Sequence, residues 1–286
     1  MLTAFLSDLH ISPMHPLNLH HSMALIESLQ ADRLVLVGDT IDLWDYPAAM
    51  QPPPAREICK SLLPFKGQFT RFRQVVLLRG NHDSGLHQNH LPEDLHKNII
   101  VGGQLKLQTQ DGLIVAEHGH KLSAFNATHK TPYPVGYFLT RLLSDSGVSL
   151  KDVLRTSLDD ILRWAMGTRT LTEACIDAVI SETGQSSCVM PDGTTLNSEQ
   201  IKRIFRKSRI DRQSIRHELF TDSAHLARAL RPTLPSGAML IFGHTHRAGR
   251  GEGWANLGHA LDARPFITKE TQRPKSGKFR RPPPPQ

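Results

Sequence analysis

The sequence predicts an α/β protein, and three features carry that expectation. Short apolar runs end in polar turns along the chain, helical stretches separate the first of these runs, and chemistry-bearing side chains gather where the runs stop. The runs are Leu2–Leu6 before Ser7-Asp8, Leu34–Val37 before Gly38-Asp39, Val75–Leu78 before Arg79-Gly80, Leu113–Ala116 before Glu117-His118, and Ala238–Phe242 before Gly243-His244. Short apolar runs bounded by turns read as strands buried on both faces. Helices are predicted between them at about Ser22–Gln30, with Met23, Ala24, Ile26 and Leu29 to one side, and at Ala55–Leu63. Alternation of strand and helix places functional loops at the carboxyl ends of the strands.

From about Tyr133 to Arg231 the pattern changes to helical periodicity, over Val135–Leu143, Leu150–Met166, Leu171–Ser181, Ser198–Lys207 and Ser223–Leu230. Pro132 and Pro134 mark the entry to this stretch, and Pro232 and Pro235 its exit. The expected organisation is a core of residues 1–132 and 232–270, a helical insertion or cap of residues 133–231, and a tail of residues 271–286. Two late strands are expected near Trp254–Leu257 and Pro265–Thr268. The tail, with four consecutive prolines, is expected to be disordered.

Composition removes several function classes. The net charge is +7, but residues 272–286 hold Arg273, Lys275, Lys278, Arg280 and Arg281 and no acid, which leaves +2 for the rest. A near-neutral body argues against nucleic acid as a partner. Cys59, Cys175 and Cys188 are scattered and form no C-x-x-C pair, so neither a zinc knot nor a disulfide framework is indicated. A reducing, cytoplasmic setting is the expectation. No apolar run reaches the roughly 18 residues that span a bilayer. The opening MLTAFLSDLH is too short for a secretory signal and lacks its basic start, so the N-terminus is expected to be kept.

Five polar clusters sit at the ends of the five runs: Asp8-Leu9-His10, Gly38-Asp39-Thr40-Ile41-Asp42, Gly80-Asn81-His82-Asp83, His118-Gly119-His120 and Gly243-His244-Thr245-His246. Each alone reads as an ordinary turn or polar strand end. Together, on what is expected to be one sheet edge, they supply carboxylate, imidazole and amide oxygen, the donors that hard-to-borderline divalent metals prefer. The glycines before Asp39, Asn81 and His244 are expected to let the backbone turn sharply beneath each ligand.

The order D-x-H, GD-x-x-D, GNHD, H-G-H, GH-x-H resembles the calcineurin-like metallophosphoesterase superfamily, over residues 1–131 and 238–268. That resemblance implies a four-layer α/β/β/α sandwich with a helical insertion. It implies two divalent metal ions, one held by Asp8, His10 and His246 and the other by Asn81, His118 and His244, with Asp39 bridging. Manganese is the expected metal, with iron, zinc or magnesium-like ions as alternatives. The implied activity is hydrolysis of a phosphate mono- or diester or a pyrophosphate by in-line attack of a metal-bridging hydroxide. His82 would protonate the leaving oxygen or stabilise the phosphoryl group, against the plainer reading of a supporting histidine, and Asp83 is expected to orient it. Asp42 is expected to anchor its loop or orient a ligand histidine. Trp44 and Tyr46 either line the substrate entrance or pack beneath the loop. Asn256 is expected to be structural.

Asp-Thr-Ile-Asp-Leu-Trp and the helical insertion also look like the UDP-2,3-diacylglucosamine diphosphatase group, in which an insertion covers acyl chains. That group typically carries arginine at the position of His82. The expected substrate is a phosphorylated small molecule or lipid, with peripheral membrane contact as a corollary of the lipid case. The basic stretch Ser198–Arg216, with Ile201, Ile204 and Phe205 on one face, reads as a core-facing helix with a solvated basic side or as a cap whose arginines hold an anionic substrate or a membrane surface. A metal-free scaffold would have lost ligands, and all seven are present. A nuclease would carry basic and aromatic residues interleaved near the motifs, which are missing here.

Overall fold

The computed structural model describes residues 1–123, 125–126, 133–144, 146–148, 152–153, 170–205, 223–259 and 265–269. Twelve strands lie among them: β1 Leu2–Leu6, β2 Arg33–Val37, β3 Gln74–Leu78, β4 Ile99–Gly102, β5 Leu105–Thr109, β6 Gly112–Ala116, β7 Ser187–Val189, β8 Thr195–Asn197, β9 Met239–Phe242, β10 Gly249–Gly251, β11 Trp254–Asn256 and β12 Phe266–Lys269. The described chain divides into two compact units.

The first unit comprises residues 1–42, 55–119 and 222–286. One of its sheets has the order β12-β1-β2-β3-β4 and the other β10-β11-β9-β6-β5. Strands β1 to β4 are mutually parallel, as are β6, β9 and β11, while β12, β10 and β5 pair antiparallel at the margins. Phe5, Val35, Val37, Val76 and Leu78 of the first sheet share an apolar core with Leu105, Leu107, Ile114, Ala116 and Ile241 of the second, so the sheets pack face to face. Ala4, Leu6, Leu34, Leu36, Val75 and Leu77 point the other way and are equally buried, which explains the unbroken apolar runs. On the second sheet Leu226, Ala227 and Leu230 of the helix Ser223–Leu230 cover Leu240 and Phe242. This is the two-sheet, helix-flanked arrangement the family resemblance implies. It corrects the reading of five strand ends on one sheet edge: two sheets supply them.

The first helix runs Pro16–Ser28 rather than Ser22–Gln30, because Pro16 at its first turn fixes φ in the helical range. Ala55–Leu63 is helical only to Ile58 and tightens into a 3-10 turn over Cys59–Phe65, which contains Pro64. Strands β4, β5 and β10 were not anticipated. Neither β10, as Gly249-Arg250-Gly251, nor β5, as an alternating edge strand, offers a continuous apolar run.

The second unit comprises residues 43–54 and 120–221. Helices Val135–Leu143, Leu171–Thr183 and Ser198–Phe205 bury Phe138, Leu139, Leu142, Ile176, Val179, Ile201 and Phe205 in one core. Leu171–Thr183 starts at a Thr170/Glu173 capping box and stops at Gly184, whose φ of 68° closes the helix. The unit is not wholly helical: β7 and β8 form a hairpin around Pro191-Asp192-Gly193. Trp44 and Tyr46 are buried here, with Trp44 edge-on to Tyr137, so packing beneath the loop is their role. The Arg141 guanidinium, fully buried, donates to the carbonyls of Tyr46, Pro47, Met50 and Val189 and to the Tyr137 hydroxyl. Ile204 is exposed while Ile201 and Phe205 are buried, because only the latter pair, four residues apart, shares the core-facing stripe. Lys202 is held by Asp177 and Glu199, which removes one cation from the basic face.

The expected helix Leu150–Met166, apart from Asp152 and Val153, lies outside the described residues, as do the basic stretch beyond Phe205 and the tail. Among the described residues no helix is long and apolar enough to cross a membrane. All three cysteines are buried free thiols.

Candidate metal centre

The five polar clusters leave the carboxyl ends of β1, β2 and β3 in one sheet and β6 and β9 in the other. Beyond β1 and β2 the chain continues in register: the Asp8, His10 and Ile11 amides donate to the Gly38, Asp39 and Thr40 carbonyls. That ladder carries the first two clusters side by side. Among the described residues, five non-glycine residues have positive φ: Asp8 (55°), His10 (45°), Asp39 (49°), His244 (73°) and His246 (55°). Each is an expected ligand. Left-handed backbone at a side-chain-bearing residue is strained, persists only where its surroundings enforce it, and clusters at functional sites.

The glycines act more through space than through turning. Gly38 does have a positive φ, of 83°. Gly80 and Gly243 do not; a Cβ on Gly80 would strike the Asp39 carboxylate, and one on Gly243 would strike Ser7 and the Asp8 carboxylate. The sharp-turn expectation is therefore corrected for these two positions: a bare backbone is needed so that the clusters can close on one another.

Potential donor atoms converge in three groups, Asp8/His10/His246, His10/Asp39/His82 and Asp39/His118/His244, each with its atoms within 4.8 Å of one another. His10 Nε2 lies 3.2 Å from His246 Nε2 and 3.9 Å from Asp39 Oδ2. His246 Nε2 is 3.3 Å from Asp8 Oδ1. His118 Nε2 is 3.0 Å from Asp39 Oδ2 and 3.2 Å from Asn81 Oδ1. All seven expected ligands are thus brought together. His120 opens a 3-10 turn in the second unit and belongs to none of the three groups.

The rings are oriented from behind. His118 Nδ1 faces the Val37 carbonyl at 2.9 Å, so it carries the proton and leaves Nε2 toward Asp39. Asp42 serves two rings at once: Oδ2 lies 2.9 Å from His10 Nδ1 and Oδ1 lies 2.8 Å from His82 Nδ1. Here the structure corrects an expectation. The carboxylate that orients His82 is Asp42, not Asp83. Asp83, fully buried, accepts backbone N–H groups from Gly80 (2.5 Å), Thr40 (2.8 Å), Asp39 (3.3 Å) and Ile41 (3.4 Å), and so clips the two loops together. The His82 amide in turn donates to Asp39 Oδ1 at 2.9 Å.

The buried carboxylates and imidazoles of the site shift one another strongly. Burial opposes charge on His118, but the Asp39 and Asp8 carboxylates outweigh it and lift its pKa to about 10. Burial likewise opposes charge on His10, and Asp42 with Asp39 lifts it to about 9. Burial would raise Asp8, Asp39 and Asp42, yet the neighbouring imidazoles hold all three below the usual carboxylate range. Burial and the Asp39 charge push Asp83 up to about 6. Buried carboxylates are costly without compensating cations. With protons on His10 and His118 doing that work in the bare chain, the imidazole, carboxylate and amide donor set fits divalent metal ions.

His259 was not anticipated. Its ring stacks on His10 at 6.0 Å between centroids, with 10° between planes, and sits 5.4 Å from His246. The clue in the sequence was only a histidine three residues beyond Asn256, after Gly258.

The sequence profile described as calcineurin-like phosphoesterase matches residues 1–248 of the chain. No curated protein matches it. Among solved structures, the chain is similar to a phosphopantetheinyl hydrolase from Mycobacterium tuberculosis, with 14% identity, coverage of 90% of this chain and 89% of that one, and a TM-score of 0.36.

Proposed function

Since the chain belongs to the calcineurin-like phosphoesterase family, we propose that it is a binuclear metal-dependent hydrolase of a phosphate mono- or diester or a pyrophosphate. Asp8, His10 and His246 would hold one divalent ion and Asn81, His118 and His244 the other, with Asp39 available to both. The observation that carries this reading is Asp39 itself. Its carboxylate gathers with His10 and His82 in one donor group and with His118 and His244 in another, and its φ of 49° joins four other expected ligands in a strained backbone region. Divalent cations held there would supply charge neutralisation for the phosphoryl oxygens and a nucleophile at neutral pH.

The chain's own groups account for the remaining steps. His82 is raised above the ordinary imidazole range: burial opposes its charge, and Asp42 and Asp39 outweigh that. That shift favours the protonated ring, which with Nδ1 held on Asp42 is suited to donate a proton to the leaving oxygen from Nε2. Asp42 keeps the His10 and His82 rings at fixed orientations, and Asp83 fixes the loops beneath them. The substrate is a phosphorylated small molecule or lipid, and manganese is the first metal to test.

The test is hydrolysis of aryl phosphate monoesters and diesters by the manganese-loaded chain, beside the Asp39→Ala variant. Manganese-dependent turnover lost in Asp39→Ala supports the reading, and turnover retained in that variant contradicts it.

A further inference from the structure

The segment after β11 is bound to the loop that carries His244 and His246. The Leu257 amide donates to the Phe242 carbonyl at 2.8 Å, the Asn256 side-chain amide donates to Thr245 Oγ1 at 2.8 Å, and the Gly258 amide donates back to Asn256 Oδ1 at 2.9 Å. Thr245 lies between the two ligand histidines. Gly258 has a φ of 65°, and a Cβ there would press on the Ala248 backbone at 2.5–2.9 Å, so the turn fits closely against the same loop. This clamp delivers the half-buried His259 to the rings of His10 and His246. Among the described residues, His259 is the histidine that packs on rings of the donor groups without belonging to any of them.

Its position matters because of where the site is open. Asp8, Asp39 and His118 are sealed from solvent, while the His246 side chain is 48% exposed. His246 is thus the most open of the seven expected ligands, with His244 half-buried, and the His259 ring lies beside it. An imidazole always offers at least one N–H donor, whichever its protonation state. A donor next to a phosphate oxygen strengthens binding through a charge-assisted hydrogen bond.

We propose that His259 is a substrate-contacting residue that donates a hydrogen bond to a phosphate oxygen. This rests on the hydrolase reading above and adds a residue to it. Asn256 then acts as a positioning residue, holding His259 to the ligand loop through Thr245.

The experiment compares His259→Phe, which keeps a ring to pack on His10 and His246 but no donor, with His259→Gln, which keeps a donor but no ring. Three quantities are read on manganese-loaded protein: bound metal, affinity for inorganic phosphate by calorimetry, and kcat/KM on an aryl phosphate. The contact predicts unchanged metal content in His259→Phe, with phosphate affinity and kcat/KM lowered about 10-fold or more, and partial recovery of both in His259→Gln. Phosphate affinity in His259→Phe equal to that of the parent overturns the proposal. So does loss of metal in His259→Phe, or recovery in neither quantity with Gln, since each marks a packing role. A parent chain that takes up no metal and turns nothing over refutes the hydrolase reading itself, which separates the two failures.

Discussion

Replacing Asp42 by asparagine tests how the site is held. In the parent, one carboxylate accepts from His10 Nδ1 at 2.9 Å and from His82 Nδ1 at 2.8 Å, and is itself buried. Asparagine has the same shape but only one oxygen to accept with, and its NH2 must face the second ring. That ring either loses its partner or takes the other tautomer, with the proton on Nε2. For His10 this would protonate the atom that faces Asp39 and His246. For His82 it removes a charge that raises the ring's pKa. A hydrogen bond to a charged group contributes about 1.5–3 kcal/mol, and losing a ligand's supporting partner typically lowers metal affinity or activity about 10–100-fold. Asp42→Asn is accordingly expected to lower kcat/KM about 10–100-fold at saturating manganese, and more at limiting manganese. Steady-state kinetics at several manganese concentrations, with circular dichroism to confirm folding, makes the measurement. If kcat/KM and the manganese requirement both stay within about twofold of the parent, the orienting role of Asp42 is refuted.

Gly80→Ala is expected to lose at least about 10-fold in manganese affinity, because its Cβ would meet the Asp39 carboxylate. Titration of the folded variant with manganese checks this, and parent-like affinity contradicts it. The pKa shifts fix the sign of a pH effect. His10 at about 9 and His118 at about 10 carry protons at pH 7 that metal must displace, so uptake releases protons and affinity climbs as pH rises toward 9. Calorimetry in two buffers of different ionisation enthalpy should therefore give different apparent heats at pH 7, and equal heats contradict the assignment. Arg141→Met leaves four carbonyl oxygens and the Tyr137 hydroxyl without their buried donor. A loss of about 3–5 kcal/mol is expected. Chemical denaturation reads it, and a change under about 1 kcal/mol would show that the buried guanidinium is dispensable.

What could be read from the chain follows from how far apart the interacting residues are. Strands β1, β2, β3, β6 and β9 were legible because burial on both faces demands apolar residues at every position. The residues now seen to converge were legible because each lies within four residues of such a strand's end. The hairpin β7–β8 was missed although Pro191-Asp192-Gly193 is a turn signal, since its strands span three residues each and lie amid helical periodicity. The Asp42–His82 pairing joins residues 40 apart, and it depends on the backbone bonds to Asp83 that clip the second and third clusters together; adjacency alone favoured Asp83. His259 depends on the fit of Gly258 against Ala248, a contact that no local pattern announces.

The most direct test of the shared-carboxylate centre is manganese titration of the metal-free chain followed by electron paramagnetic resonance. The account predicts two manganese ions per chain and an exchange-coupled signal that disappears in Asp39→Ala. A single ion, or two ions with no coupling, would contradict it.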